Sequence, residues 1–278
     1  MLFYGTVNAL LDLLGGRSDS LDLDRAALLL ARLEYPSLDI EPFIAILDSY
    51  AVELAERLGE RATGAGYVEA ANQYLFGELG FAGNQRNYYD PRNSCLNDVL
   101  TARTGIPITL AVVYLEIARR LAKPVYGIGL PGHFLVEYRD AGFSAIIDVF
   151  HGGRVLTPSE CFELAGEATG EKIPADSRLL APSGKRQILL RMLNNLRGVY
   201  LRRQAYGKAL ATFDLVLAAN PDAAEEYKHR AILHIERNNM SAARADLEAY
   251  LRLSPKAADR PEVEKRLRSV KRTLAELN

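Results

Sequence analysis

The sequence predicts an α+β protein with a helical N-terminal region, a core holding a small antiparallel sheet, and an all-helical tail. Three observations carry that prediction. Residues 105–121 read GIPITLAVVYLEIARRL, apolar around nearly the whole circumference, and a helix of that kind is a buried one. The runs VYGIGL, HFLVEY and SAIIDVF follow it, rich in β-branched and aromatic residues and bounded by Gly and Pro. Beyond residue 184 the strands stop and a helical period of 34 residues begins, Ala209 recurring as Ala243 and Asn220-Pro221 as Ser254-Pro255.

From Leu21 to about Gly59, apolar residues recur every three or four positions: Leu23, Ala26, Leu30 and Leu33, then Phe43, Leu47, Tyr50, Leu54 and Leu58. Pro36 separates a first helix from a second, and Glu41-Pro42 suits the second helix's first turn. A third helix is expected over 66–79, with Tyr67, Ala70, Ala71, Tyr74 and Leu75 inward. GFAGNQRNYYDPRNS carries loop chemistry. Ser94 is placed to cap a short helix over 95–103. After the buried helix, the three apolar runs form a small antiparallel sheet packed upon it. His151-Gly152-Gly153 ends the last strand, and Pro158-Ser159-Glu160 opens another helix through Ala165.

A linker around 174–184 then leads to the tail. Tyr200, Ala209, Phe213 and Pro221 fall where a tetratricopeptide unit places its tyrosine, small alanine, phenylalanine and helix-ending proline. The second unit keeps Ala231, Ala243 and Pro255 but has His234 and Leu247 at the aromatic positions. Residues 260–277 read as a capping helix. Two units bury little surface between them, so the tail is expected to lean on the core. The expected domains are 1–180 and 185–278.

Composition bounds the function. Among 278 residues, 49% are apolar and 25% charged, and the formal net charge is −1, so no global basic field recruits nucleic acid or anionic lipid. No apolar run approaches the length of about 20 residues that a bilayer needs. MLFYGTVNALLDLLGG lacks a basic n-region and a small-residue cleavage site, so it does not read as a signal peptide. Two distant cysteines, Cys95 and Cys161, make no disulfide framework and suit a reducing compartment. A cytoplasmic protein is expected. The four histidines (133, 151, 229 and 234) are dispersed, and no Cys or His pair has ligand spacing, so neither metal nor cofactor is expected. No glycine-rich phosphate loop is present.

The candidate chemistry lies between Gly105 and Asp148. His133 opens one strand after Pro131-Gly132, and Asp148 sits in the otherwise apolar AIIDVF. A charge there must be paired or face outward. A turn at Arg139-Asp140-Ala141-Gly142 brings the two strands side by side, which makes His133 its obvious partner. A carboxylate beside an imidazole fixes the tautomer and stabilises the imidazolium, which is half of a nucleophilic triad. The other half is missing. The helix start, where a thiol gains from the N-terminal field, offers Pro107, Ile108 and Thr109. Cys95 and Cys161 sit among apolar neighbours and read as small buried residues.

The order of helix, His-bearing strand and Asp-bearing strand resembles the transglutaminase-like superfamily, whose cysteine-protease-like core carries Cys, His and Asp in that sequence. LFGELGFAGNQRNYYDPRNSCLNDVLTARTGIPITLAVVYLEIARRL, PGHF and IDVFHGG are similar to the bacterial SirB-type transglutaminase-like family, which joins such a core to C-terminal tetratricopeptide repeats. The resemblance places Pro107 near the nucleophile position and leaves Thr109 as the nearest nucleophilic side chain. It implies a catalytic fold that has lost its thiol.

The expected function is therefore a non-catalytic, regulatory scaffold whose repeat tail binds a peptide or protein, with Asn194, Asn195 and Arg197 on the binding face. The expected cleft is lined by Cys95, Asn97, Pro107, Pro131 and Gly132 around His133 and Asp148. The alternative is a hydrolase or acyl-transferase that uses Thr109 or Cys95 as nucleophile, His133 as base and Asp148 as orienter.

Overall fold

The structure, a computed structural model, describes residue 10, residues 21–59 and residues 62–276. Apart from Leu10, the N-terminal stretch read for targeting signals lies outside the described residues. The chain divides into two compact units, Met1–Asn195 and Leu196–Asn278.

In the first unit, α1 (Leu23–Ala31), α2 (Glu41–Leu58) and α3 (Gly64–Asn72) form the expected helical region. Pro42 lies in the first turn of α2. The third helix stops short of 79 as an α-helix, because Gln73–Glu78 continues as a π-helical turn. The expected loop after it contains one strand, β1 (Ala82–Gly83), paired in parallel with β2 (Thr104–Gly105). A 3₁₀ turn spans Pro91–Ser94 and absorbs the residue expected to cap the next helix, so the cap position of α4 (Leu96–Ala102) falls to Cys95. The buried helix is α5, Pro107–Arg120, with its proline in the first turn. Arg120 bridges it to the others, bonding the carboxylates of Asp24 at 2.7 Å and Asp48 at 2.6 Å.

The sheet has five strands rather than three: β3 (Val125–Leu130), β4 (His133–Arg139), β5 (Ser144–Asp148), β6 (Arg154–Leu156) and β7 (Pro182–Ser183), in the order β6-β5-β4-β3-β7. β7 comes from the expected linker, where Pro182 and Ser183 pair antiparallel with Ile128 and Gly127. Two residues at a sheet edge leave almost no period-2 signal, so nothing in the pattern marked them. α5 packs against β3 and β4. Ile128, Leu130, Leu135, Ile146 and Leu156 form a cluster with Cys161 and Ala165 of α6 (Pro158–Thr169). Thr157 caps that helix reciprocally with Glu160.

The boundary between the units falls within α7 (Lys185–Arg202), not in the linker. The first part of this helix belongs to the core unit: Lys185 Nζ bonds the Leu21 carbonyl at 2.8 Å, and Arg191 bonds Leu130 and His133. The second unit holds the rest of α7, then α8 (Tyr206–Ala219), α9 (Ala224–Glu236), α10 (Met240–Leu253) and α11 (Arg260–Glu276). The repeat signature holds here. α8 and α10 end at the two residues before Asn220-Pro221 and Ser254-Pro255, and Ala209 and Ala243 are fully buried. Ala231, Leu247, Tyr250, Val263 and Val270 form the core of the second repeat and its cap.

Candidate functional site

The site is built on the hairpin of β4 and β5. Pro131 holds a fixed φ and Gly132 adopts φ +69°, the combination a type II turn requires, so His133 emerges directly opposite Leu130. β4 and β5 pair from Arg139–Ser144 up to Val136–Ile147. One further step of that register sets Asp148 opposite Leu135 and diagonal to His133, within side-chain reach. His133 Nε2 lies 3.0 Å from Asp148 Oδ1, and both groups are buried.

Asp148 has a second imidazole. His151 Nδ1 lies 2.6 Å from its other oxygen, and the amides of Phe150 and His151 donate to Oδ1 at 3.1 and 3.3 Å. The amides of Phe150 and His151 fold onto the Asp148 carboxylate and bring the His151 ring with them; the positive φ angles of Gly152 (+73°) and Gly153 (+81°) then turn the chain back, the Gly153 amide bonding the Asp148 carbonyl at 2.9 Å. Asn72 secures this turn by donating to the Gly153 carbonyl at 2.7 Å. The two imidazole rings stack 5.9 Å apart at 15°. Burial alone would raise the Asp148 pKa, but the bonds from His133 and His151 hold it below the usual carboxylate value.

Two of the four histidines that are dispersed along the chain thus come together on one carboxylate. His133, Asp148 and His151 form a group whose ligand atoms all lie within 4.8 Å of one another, and these are the residues that could hold a divalent transition metal. His151 was the functional residue the pattern missed. Its signal was the phrase IDVFHGG, where a paired glycine turn returns the chain to the aspartate.

With Nε2 engaged by Asp148, Nδ1 is the ring nitrogen His133 has left for a cavity of about 170 Å³. Pro107, Ile108, Gly132, His133, Arg191 and Asn195 line it, together with Tyr88 and Phe134. Pro107 and Gly132, read from the sequence as cleft residues, are among this lining. Cys95, Asn97 and Pro131 are not among the cavity's lining residues. Cys95 and Asn97 are buried around the start of α4. A larger cavity of about 420 Å³, between α5, β3 and the start of α7, shares none of these residues.

Thr109 and the two cysteines, the side chains weighed as nucleophiles, are buried. Thr109 is fully buried; its hydroxyl accepts from the Ile106 amide at 3.2 Å and donates to the Asn93 carbonyl at 2.7 Å. That bond ties the N-terminus of α5 to the loop before it. Asn93 in turn donates to the carbonyls of Asn87 and Tyr88 and so holds Tyr88 over the cavity. Burial pushes the Cys161 thiol up to about 11, the opposite of activation.

The expected partner face divides. Asn194 is exposed, whereas Asn195 is half-buried in the wall of the His133 cavity. Arg197 is engaged: it pairs with Glu226 and lies over the Phe213 ring, 4.4 Å from its centroid. Its role is to join α7 to α8 and α9 within the repeat.

This layout has known counterparts. Residues 41–194 match the family model of the transglutaminase-like superfamily, over half of the chain, and residues 196–268 match a tetratricopeptide repeat. The chain belongs to the transglutaminase-like superfamily. It is 38% identical over 240 residues to a UPF0162 protein of Xylella fastidiosa (strain 9a5c), covering 85% of each chain. It is 30% identical over 232 residues to UPF0162 protein PA3419 of Pseudomonas aeruginosa, covering 84% of each. Human F-box only protein 21 is 32% identical over 166 residues, 56% of this chain and 26% of that protein. No described helix is long and apolar enough to cross a membrane.

Proposed function

We propose that this protein is a non-catalytic, regulatory member of its superfamily, in which the core serves as a scaffold and the repeats bind a peptide or protein partner. One observation carries the reading. The cavity beside His133 is walled by Pro107 where the superfamily resemblance puts the thiol, and the nearest hydroxyl, Thr109, is buried and bonded to backbone. A dyad without a nucleophile orients and polarises but forms no acyl intermediate. Tetratricopeptide repeats typically serve protein interactions, which supports assigning partner binding to the tail.

The alternative, a hydrolase or acyl-transferase, draws on the retained His133–Asp148 bond. It needs a nucleophile that reaches His133, and the burial of Thr109 and Cys95 speaks against both. The test is turnover. The full chain is incubated with an activated ester, a peptide amide, and a glutamine peptide with an amine acceptor. The scaffold reading expects rates equal to those of His133→Ala; a rate above background that His133→Ala abolishes overturns it.

A further inference from the structure

Arg191 presents an unbalanced charge. Among the described residues it makes no ion pair, although it is half-buried and lies in the same cavity wall as His133. Its Nη2 donates to the carbonyls of Leu130 (2.5 Å) and His133 (2.6 Å), the two residues that flank the Pro131-Gly132 turn. These bonds clamp the guanidinium in place, while the Phe134 ring supports it at 5.3 Å. Of five N–H donors, Nη2 uses two; Nε and Nη1 bond no acceptor among the described residues. Burial lowers the pKa of Arg191, yet an arginine keeps its charge in a protein. A desolvated cation without a counter-charge is costly, and such groups are held where an anion completes them.

The rest of the cavity agrees. The first turn of α5 faces it through Pro107, which has no N–H, and Ile108, whose first-turn amide has no acceptor in its own helix. Burial raises the Tyr88 pKa, so that phenol stays neutral. Among the described residues no carboxylate lines the cavity, and Asp148, behind His133, is buried and already bonded to two imidazoles. We propose that this cavity is a carboxylate-binding site in which Arg191 supplies the counter-charge, and His133 and Asn195 form the adjoining walls. At about 170 Å³ it holds an end group, such as the C-terminal residue of a peptide or a short organic acid, and is far too small for a nucleotide.

The test uses the full chain with ring-labelled histidine, followed by NMR during titration with N-acetylalanine, its amide, propionate and inorganic phosphate. The site expects saturable shifts of the His133 ring with the free acid and none with the amide. Tighter binding of N-acetylalanine than of propionate identifies a peptide end, and the reverse a small acid. Arg191→Gln should weaken binding at least tenfold. Because that variant also loosens the turn, Asn195→Trp, which adds bulk to the cavity wall and leaves the clamp intact, should do the same. Equal shifts with acid and amide, saturation by phosphate alone, or undiminished binding in Asn195→Trp would each overturn the proposal. These outcomes are independent of the turnover assay, since a site that binds acids need not transform them.

Discussion

His133 and Asp148 meet at 3.0 Å from opposite ends of a hairpin, and the Asp148 carboxylate is shared with His151 at 2.6 Å. The carboxylate is thus a bracket for two imidazoles, which makes it a stability element. Its removal takes the acceptor from the buried His133 ring and from the exposed His151 ring, so Asp148→Ala should cost about 1–3 kcal/mol by urea unfolding.

The same bracket sets an acid response. The Asp148 pKa is depressed in the folded chain, so its contribution is complete above the ordinary carboxylate value, about 3.9. It is lost as pH falls below that through the folded value. Unfolding free energy measured from pH 6 down to pH 2.5 should fall more steeply in the natural chain than in Asp148→Asn. Equal slopes would assign the acid sensitivity to other carboxylates.

Thr109 should behave as a structural hydroxyl. Thr109→Val removes the hydroxyl from between the Ile106 amide and the Asn93 carbonyl, leaving them only their mutual 3.5 Å bond, and should destabilise the chain by about 1 kcal/mol, while Thr109→Ser should restore most of the loss. A Thr109→Ser variant that is as unstable as Thr109→Val would refute this role.

A thiol placed in the cavity probes its electrostatics. In Pro107→Cys the sulfur would stand at a helix N-terminus in the cavity of His133, a setting that depresses a thiol pKa. Iodoacetamide should label it about tenfold faster than a free cysteine, the effect of one pKa unit, and His133→Ala should slow it. Native Cys95 and Cys161 should label only after unfolding, since both are buried.

In the tail, Arg197 and Glu226 should couple. A double-mutant cycle to alanine at both positions should return an interaction energy of about 0.5–3 kcal/mol in the stability of the full chain. A value near zero would release Arg197 for the binding role that the sequence suggested.

Much of the molecule was legible before any coordinates. The 34-residue period placed the repeat helices and their proline-marked ends, the all-apolar helix announced its own burial, and PGHF with IIDVF marked the dyad. These are local signals: a period, a turn and a charge that had to be paired are all written within a few residues. What only the tertiary structure decided was which distant groups share a space. Arg191 reaches His133 from 58 residues away, and the edge strand at Pro182–Ser183 joins a sheet whose pattern ended long before it. Thr109 looked available until its hydroxyl proved bound to Asn93. His133 and His151 looked unrelated until the amides of Phe150 and His151 folded onto Asp148 and set both rings on its carboxylate. Propensity and periodicity act over one or two turns of chain, whereas a site's charge balance is set by packing between segments far apart in sequence, and that balance became visible only once the chain was folded.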